Sequence, residues 1–120
     1  SNYEAMMAAK HYKLDNLILL LDHNGLQIDG SNDEVMSLGD VTAKFSAFGF
    51  ACRTVDGHDI DAILGALRAP APGRPIFIDC ITHKGQGVSF MQDEYAWHGR
   101  APSTEEYMRA MKELGVEHHG

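Results

Sequence analysis

Three polar segments hold the residues whose types and spacing could do chemistry. The first runs Asp22-His23-Asn24-Gly25-Leu26-Gln27-Ile28-Asp29-Gly30. Asn24 offers a carboxamide oxygen, and a turn around Gly25 can expose backbone carbonyls. A hard cation such as Mg2+ takes few protein oxygens and completes its shell with phosphate and water. Asn-Gly is also a common turn signal, so an Asx-type turn without a ligand stands as the alternative. The second loop, Lys84-Gly85-Gln86-Gly87, could bring backbone N–H groups and an ammonium to an anion. It is neither a P-loop nor a dinucleotide fingerprint: the needed glycines are missing, and it follows a strand rather than opening a helix. A flexible loop accounts for it equally well. In the third, Trp97-His98-Gly99, an imidazole sits beside an aromatic ring. A lone histidine is more often a surface or satisfied residue than a functional one. His58, in Asp56-Gly57-His58-Asp59, reads as turn chemistry and His23 as a loop residue. No G-x-S-x-G elbow, cysteine with a plausible base, or H-E-x-x-H occurs, so no nucleophile constellation is expected.

The elements that must position these loops alternate. Tyr3 to Lys13 reads as a helix, broken by Asp15-Asn16. The continuous apolar run Leu17-Ile18-Leu19-Leu20-Leu21 suits a strand buried on both faces. Asp40 can cap a helix from Val41 to Phe48, with Val41, Phe45 and Phe48 on one face and Gly49 as its stop. Phe50 to Val55 is a strand. Asp59 can cap the next helix, in which Ile60, Ile63, Leu64 and Leu67 follow i, i+3, i+4, i+7. Pro75 to Ile81 is a third strand, and Thr82 to Arg100 a long Gly-punctuated loop. Ser103-Thr104-Glu105-Glu106 matches a capping box and opens a helix ending near Leu114-Gly115. Met6, Met7, Met108 and Met111 are expected in core or interface packing. The order predicts an α/β fold, a parallel βαβαβ core with flanking helices. In such sheets ligands bind outside the carboxyl ends of the strands, and three loops leave those ends, Asp22–Gly30, Asp56–Asp59 and Thr82–His98, all rich in glycine and polar side chains. Three strands make a narrow sheet, which points to part of a larger domain or to pairing with another chain.

Composition bounds the rest. The chain has 120 residues, 44% hydrophobic and 22% charged, with a net charge of −7. This is globular composition in one domain's length. The acidic balance argues against nucleic acid, which needs a basic footprint. No run approaches a membrane span, and no signal-peptide pattern is present. Cys52 and Cys80 lie in apolar stretches without a CxxC, as small hydrophobes do in a reduced, cytoplasmic protein.

Taken in order, Tyr12-Lys13-Leu14-Asp15-Asn16-Leu17-Ile18, Asp22-His23-Asn24, Gln27-Ile28-Asp29-Gly30, Phe48-Gly49-Phe50, Val55-Asp56-Gly57-His58-Asp59, Lys84-Gly85-Gln86-Gly87-Val88 and Trp97-His98-Gly99 closely resemble transketolase. The spacing is most similar to the amino-terminal subunit of the two-chain transketolases. The resemblance implies a thiamine-diphosphate-binding fold, of which residues 1–120 would be a single partial domain, the later portion of the diphosphate-binding domain. It implies thiamine diphosphate and Mg2+ (or Ca2+) as cofactors. Asn24 matches the residue that closes the family's cofactor motif, and would bind the metal through its side chain. The backbone carbonyl of Leu26 would be the next metal ligand, and Leu26 and Ile28 would line the thiazolium region. His98 matches a histidine that contacts the cofactor diphosphate and the sugar, which makes it the expected catalytic residue. Lys84 is carried over as an anion contact. The implied reaction is transfer of a two-carbon ketol unit between phosphorylated sugars. The implied partners are sugar phosphates and a complementary pyrimidine-domain subunit; a homo-oligomer is expected separately, from the exposed sheet edges and core surface.

This sequence also departs from the family. The Gly-Asp-Gly that opens the cofactor motif is not among these residues, and with it goes an aspartate metal ligand. The glutamate that activates the aminopyrimidine belongs to the separate pyrimidine domain. His23 replaces an acidic residue common in relatives. The isolated chain is therefore expected to be inactive. The rival readings are another thiamine-diphosphate enzyme, deoxyxylulose phosphate synthase, and a non-catalytic interaction module. The Trp97-His98-Gly99 segment and the Asp56-Gly57-His58-Asp59 turn favour transketolase over the former. A nicotinamide dehydrogenase is more distant, because no dinucleotide fingerprint is present.

Overall fold

A computed structural model describes residues 2–27, 30–31 and 39–116. The chain divides into two compact units, Ser1–His23 with Leu38–Thr82, and Asn24–Ser37 with His83–Gly120.

The first unit is the predicted parallel α/β core. It contains α1 (Asn2–His11), β1 (Ile18–His23), α2 (Val41–Ala47), β4 (Ala51–Asp56), α3 (Ile60–Arg68) and β5 (Ile76–Ile81). The sheet order is β1-β5-β4, and both pairings are parallel. The chain crosses from β1 past β5 to β4 and then returns. Crossovers of one hand that run in opposite directions put their helices on opposite faces. Accordingly α2 packs with α1 on Phe77, while α3 packs on Ile76, Ile78 and Cys80. The helices start where local chemistry tells them to. The Asp40 and Asp59 carboxylates accept the N–H groups of Ala43 and Ala62, at 2.8 and 3.0 Å. At the other end of α3, the Arg53 guanidinium donates to the carbonyls of Ala66, Ala69 and Pro70, where a cation suits the helix terminus.

β5 is the strand buried on both faces, with Phe77 and Ile78 fully enclosed. Phe45 stacks on Phe77 at 3.9 Å between centroids and meets Phe50 edge-on at 5.2 Å. The expectation that Leu17 to Leu21 would be buried on both faces is corrected here. β1 is an edge strand on which Ile18 and Leu20 remain 41% and 50% exposed. Its register sets Ile18 beside Ile76 and Leu20 beside Ile78, on the α3 side of the sheet. That helix covers the central strand and not the edge. The stripe of α3 is likewise only partly used: Ala66 is buried, but Ile60 is 66% exposed. On the other face, α1, α2 and β1 border an open apolar groove of about 410 Å³, lined by Ala5, Met6, Leu19, Leu21, Val41 and Phe45 among others.

The second unit contains β2 (Leu26–Gln27) and β3 (Gly30–Ser31), a 3-10 turn at Tyr95–His98, and α4 (Thr104–Glu113). β2 and β3 form a two-residue antiparallel ladder, which the polar sequence does not announce. The capping box is formed as expected: Ser103 Oγ accepts the Glu106 N–H and Glu106 accepts the Ser103 N–H. Of the methionines expected in packing, Met6 is buried, whereas Met7 and Met108 are 60% and 51% exposed. No helix among the described residues is long and apolar enough to cross a membrane.

Candidate functional site

The described candidates Asn24, Leu26, Lys84 and His98 all fall in the second unit. Ile28 lies outside the described residues. Asn24 follows directly on β1 and is half-buried. Its Oδ1 accepts the Leu26 N–H at 3.0 Å, and Gly25 takes φ +71 between them. The Asx turn is therefore real. It also fixes the carboxamide, and an amide oxygen with one bond still has a second lone pair for a cation. Leu26 is half-buried and opens β2.

Lys84 lies in a tightly wound segment. The Gln86 and Val88 N–H groups donate to His83 and Gly85 carbonyls, so these two are engaged within turns. A Cβ on Gly85 would stand 2.6 Å from the Met91 carbonyl oxygen, so the backbone packs closely there.

His98 is exposed at the end of the 3-10 turn, and its neighbours are firmly held. Trp97 donates its indole N–H to the Phe90 carbonyl at 3.0 Å and meets the Phe90 ring edge-on. Arg100 lies 4.0 Å over Trp97 and pairs with Glu106. Arg109 lies over Phe90 and pairs with Glu113, which also accepts the N–H and hydroxyl of Ser89. These bonds hold both carboxyls below the usual carboxylate value. For Glu113 the Ser89 N–H is the largest cause, and for Glu106 it is the Ser103 N–H. The loop carrying His98 is thus clamped to α4 on both sides of the histidine.

The first unit has its own polar rim at the carboxyl ends of the strands. Thr82 Oγ1 donates to Asp22, and the Gly57 N–H donates to the Ile81 carbonyl at 2.7 Å. A Cβ on Gly57 would come 2.4 Å from Thr82 Cγ2, so only glycine fits this crossing. Asp56 accepts the His58 N–H at 2.8 Å, the expected turn chemistry. His23 Nδ1 lies 3.0 Å from Asp79 Oδ1. That pair was not foreseen from the sequence, although its signal was present: Asp79 is the one charged residue in the apolar run of β5. Burial pushes the Cys80 and Cys52 thiols up, Cys80 further helped by Asp79 and Asp22, so neither is an activated nucleophile.

A metal–diphosphate group can be tested against these donors. An amide oxygen and a backbone carbonyl are hard ligands, suited to Mg2+ or Ca2+ in kind, and they supply part of a shell. Among the described residues no cluster of three or more His, Cys, Asp or Glu offers a competing metal site. The donors fit as contributors to a site that phosphate oxygens and other ligands would complete.

Comparison with known proteins shows the family. The family described as transketolase, thiamine diphosphate binding domain, matches residues 1–120. One chain of the apulose-4-phosphate transketolase of Phocaeicola vulgatus is 38% identical over 116 residues, 95% of this chain and 41% of that one. One chain of the 6-deoxy-6-sulfo-D-fructose transketolase of a Clostridium species is 37% identical over 96% of this chain and 42% of its own. Among solved structures, Campylobacter jejuni transketolase superposes with a TM-score of 0.86 at 30% identity, covering 96% of this chain and 18% of that one. A Pichia stipitis transketolase in complex with sedoheptulose 7-phosphate gives 0.84 at 28% identity, covering 94% and 17%. The chain spans about two-fifths of the length of the subunit relatives it matches. By family match, by relatives and by fold, this chain belongs to the thiamine-diphosphate-binding domain of the transketolases.

Proposed function

We propose that this chain supplies the later portion of the cofactor site of a transketolase that moves a two-carbon ketol unit between phosphorylated sugars. The observation that carries the reading is the Asx turn at Asn24, directly after β1 in a chain of this family. Asn24 Oδ1 and the Leu26 carbonyl would hold Mg2+, with Leu26 and Ile28 beside the thiazolium. His98, on its clamped turn, would contact the diphosphate and the sugar, and Lys84 would add an anion contact. Thiamine diphosphate, when bound, supplies the carbanion chemistry; the protein binds, orients and desolvates it. The relatives named as single subunits of a transketolase support a complementary pyrimidine-domain partner. Cytoplasmic location and a homo-oligomeric assembly complete the proposal, with the isolated chain inactive.

Calorimetric titration of thiamine diphosphate with saturating Mg2+ tests it. Saturable heat that disappears in Asn24→Ala is the expected result. Heat unchanged in Asn24→Ala would remove the asparagine from the site. A second reading, an interaction module, is favoured by the bare side of β1, where Ile18 and Leu20 are exposed. It predicts self-association with no cofactor heat at all.

A further inference from the structure

We propose that His23 is a ligand-contacting residue, held by Asp79 as a fixed hydrogen-bond acceptor for a sugar hydroxyl. The inference rests on the sugar-phosphate reading above and deepens it.

Asp79 is the only charged residue among the buried ones described, at 6% exposure. It lies inside the central strand, where a carboxylate is costly unless it is hydrogen-bonded. Its bond comes from His23 Nδ1 at 3.0 Å, from a side chain still 29% exposed. Leu21 is level with Asp79 in the register and His23 with Ile81. The bond therefore runs diagonally on the α1–α2 face, from the last residue of β1 back into β5. With Nδ1 donating to the Asp79 carboxylate, a neutral imidazole presents the Nε2 lone pair as an acceptor. Among the described residues Nε2 has no second partner. A strand end that needed only packing would be served as well by apolar residues. The pair instead places a directed acceptor at the carboxyl rim of a parallel sheet, where ligands enter.

The charge around it selects the ligand's chemistry. Asp56 is level with Ile81 in the register and so shares the α1–α2 face with His23 and Asp79, and beside carboxylates a neutral hydroxyl donor is favoured over an anion that brings no metal ion with it. A hydroxyl of a polyol chain meets that requirement; the phosphate at its far end does not.

The test uses the full chain with 15N-labelled histidine. Long-range proton–nitrogen spectra are recorded above the imidazole titration range, for the wild type, Asp79→Asn and His23→Asn. The expected tautomer of His23 is Nδ1–H in the wild type and mixed in Asp79→Asn. Sedoheptulose 7-phosphate should shift the His23 Nε2 resonance, and inorganic phosphate should not. His23→Asn keeps a donor for Asp79 near the Nδ1 position but lacks Nε2. It should melt as the wild type does and bind the sugar phosphate about tenfold more weakly, as expected for one lost hydrogen bond. An Nε2–H tautomer in the wild type would overturn the proposal. So would an equal shift with inorganic phosphate alone, or no shift with the sugar phosphate. These outcomes are independent of cofactor heat: its absence would sink the thiamine diphosphate reading while the tautomer and sugar results still decide this one.

Discussion

Around Phe77 the chain is held by apolar burial; around Glu113 it is held by hydrogen bonds to charged groups that stay in water. The first unit contains nearly all the buried side chains described, among them Met6, Ala9, Phe50, Phe77 and Ile78. The second contributes Val88 and Ala110. It compensates with the Ser89–Glu113–Arg109 cluster, the Phe90–Trp97 contact, the Arg100–Glu106 pair and the capping box. The contrast follows from where ligands go. A rigid sheet needs dry packing, whereas the loop that presents His98 must stay at the surface and so depends on directed polar contacts. Removing atoms should hurt the first unit most, and removing charge should show mainly in the second.

The largest expected effect is that of Phe77→Ala. This ring is fully buried and stacked on Phe45, so its loss should cost about 3–5 kcal/mol. Urea unfolding followed by far-ultraviolet circular dichroism measures it, and a cost below about 1 kcal/mol would mean that the sheet is not the stabilising centre. Next comes Arg53→Met, which keeps the aliphatic stem but leaves the Ala66, Ala69 and Pro70 carbonyls without their donor. The same unfolding curves should show a loss of about 1–2 kcal/mol. An unchanged midpoint would show that water satisfies that helix end equally well.

The smallest effect on global stability is expected for Glu113→Gln, and there the pH response is the sharper readout. Glu106 and Glu113 both titrate below the ordinary value of 4.5. A depressed folded-state value means that their contribution is complete above the unfolded value and is lost as pH falls through the folded one. Trp97 fluorescence should therefore change in acid below about pH 4.5, and Glu113→Gln should weaken that transition. If Glu113→Gln instead destabilised the chain as much as Phe77→Ala, the contrast between the two units would fail.

The site was partly readable in advance. The Asn24-Gly25 turn and the Trp97-His98 segment are local, and their residue types announce them. The turns that engage the Gln86 and Val88 N–H groups were not readable, because glycine permits both an open nest and a tight turn. Nor was the clamp on His98, whose partners Ser89 and Glu113 lie 24 residues apart.

What the sequence by itself determined is what depends on near neighbours: the element order, the Asp40, Asp59 and Ser103 caps, and the ordered motifs that mark the family. Each rests on contacts within one or two helical turns or on a run of like residues. Only the tertiary structure decided that β5, and not β1, is the enclosed strand. It alone showed which side of α3 is covered, that Arg53 closes that helix, and that Asp79 meets His23 across 56 positions. Strand order and register bring those residues together, and every apolar run of suitable length competes for the same central place.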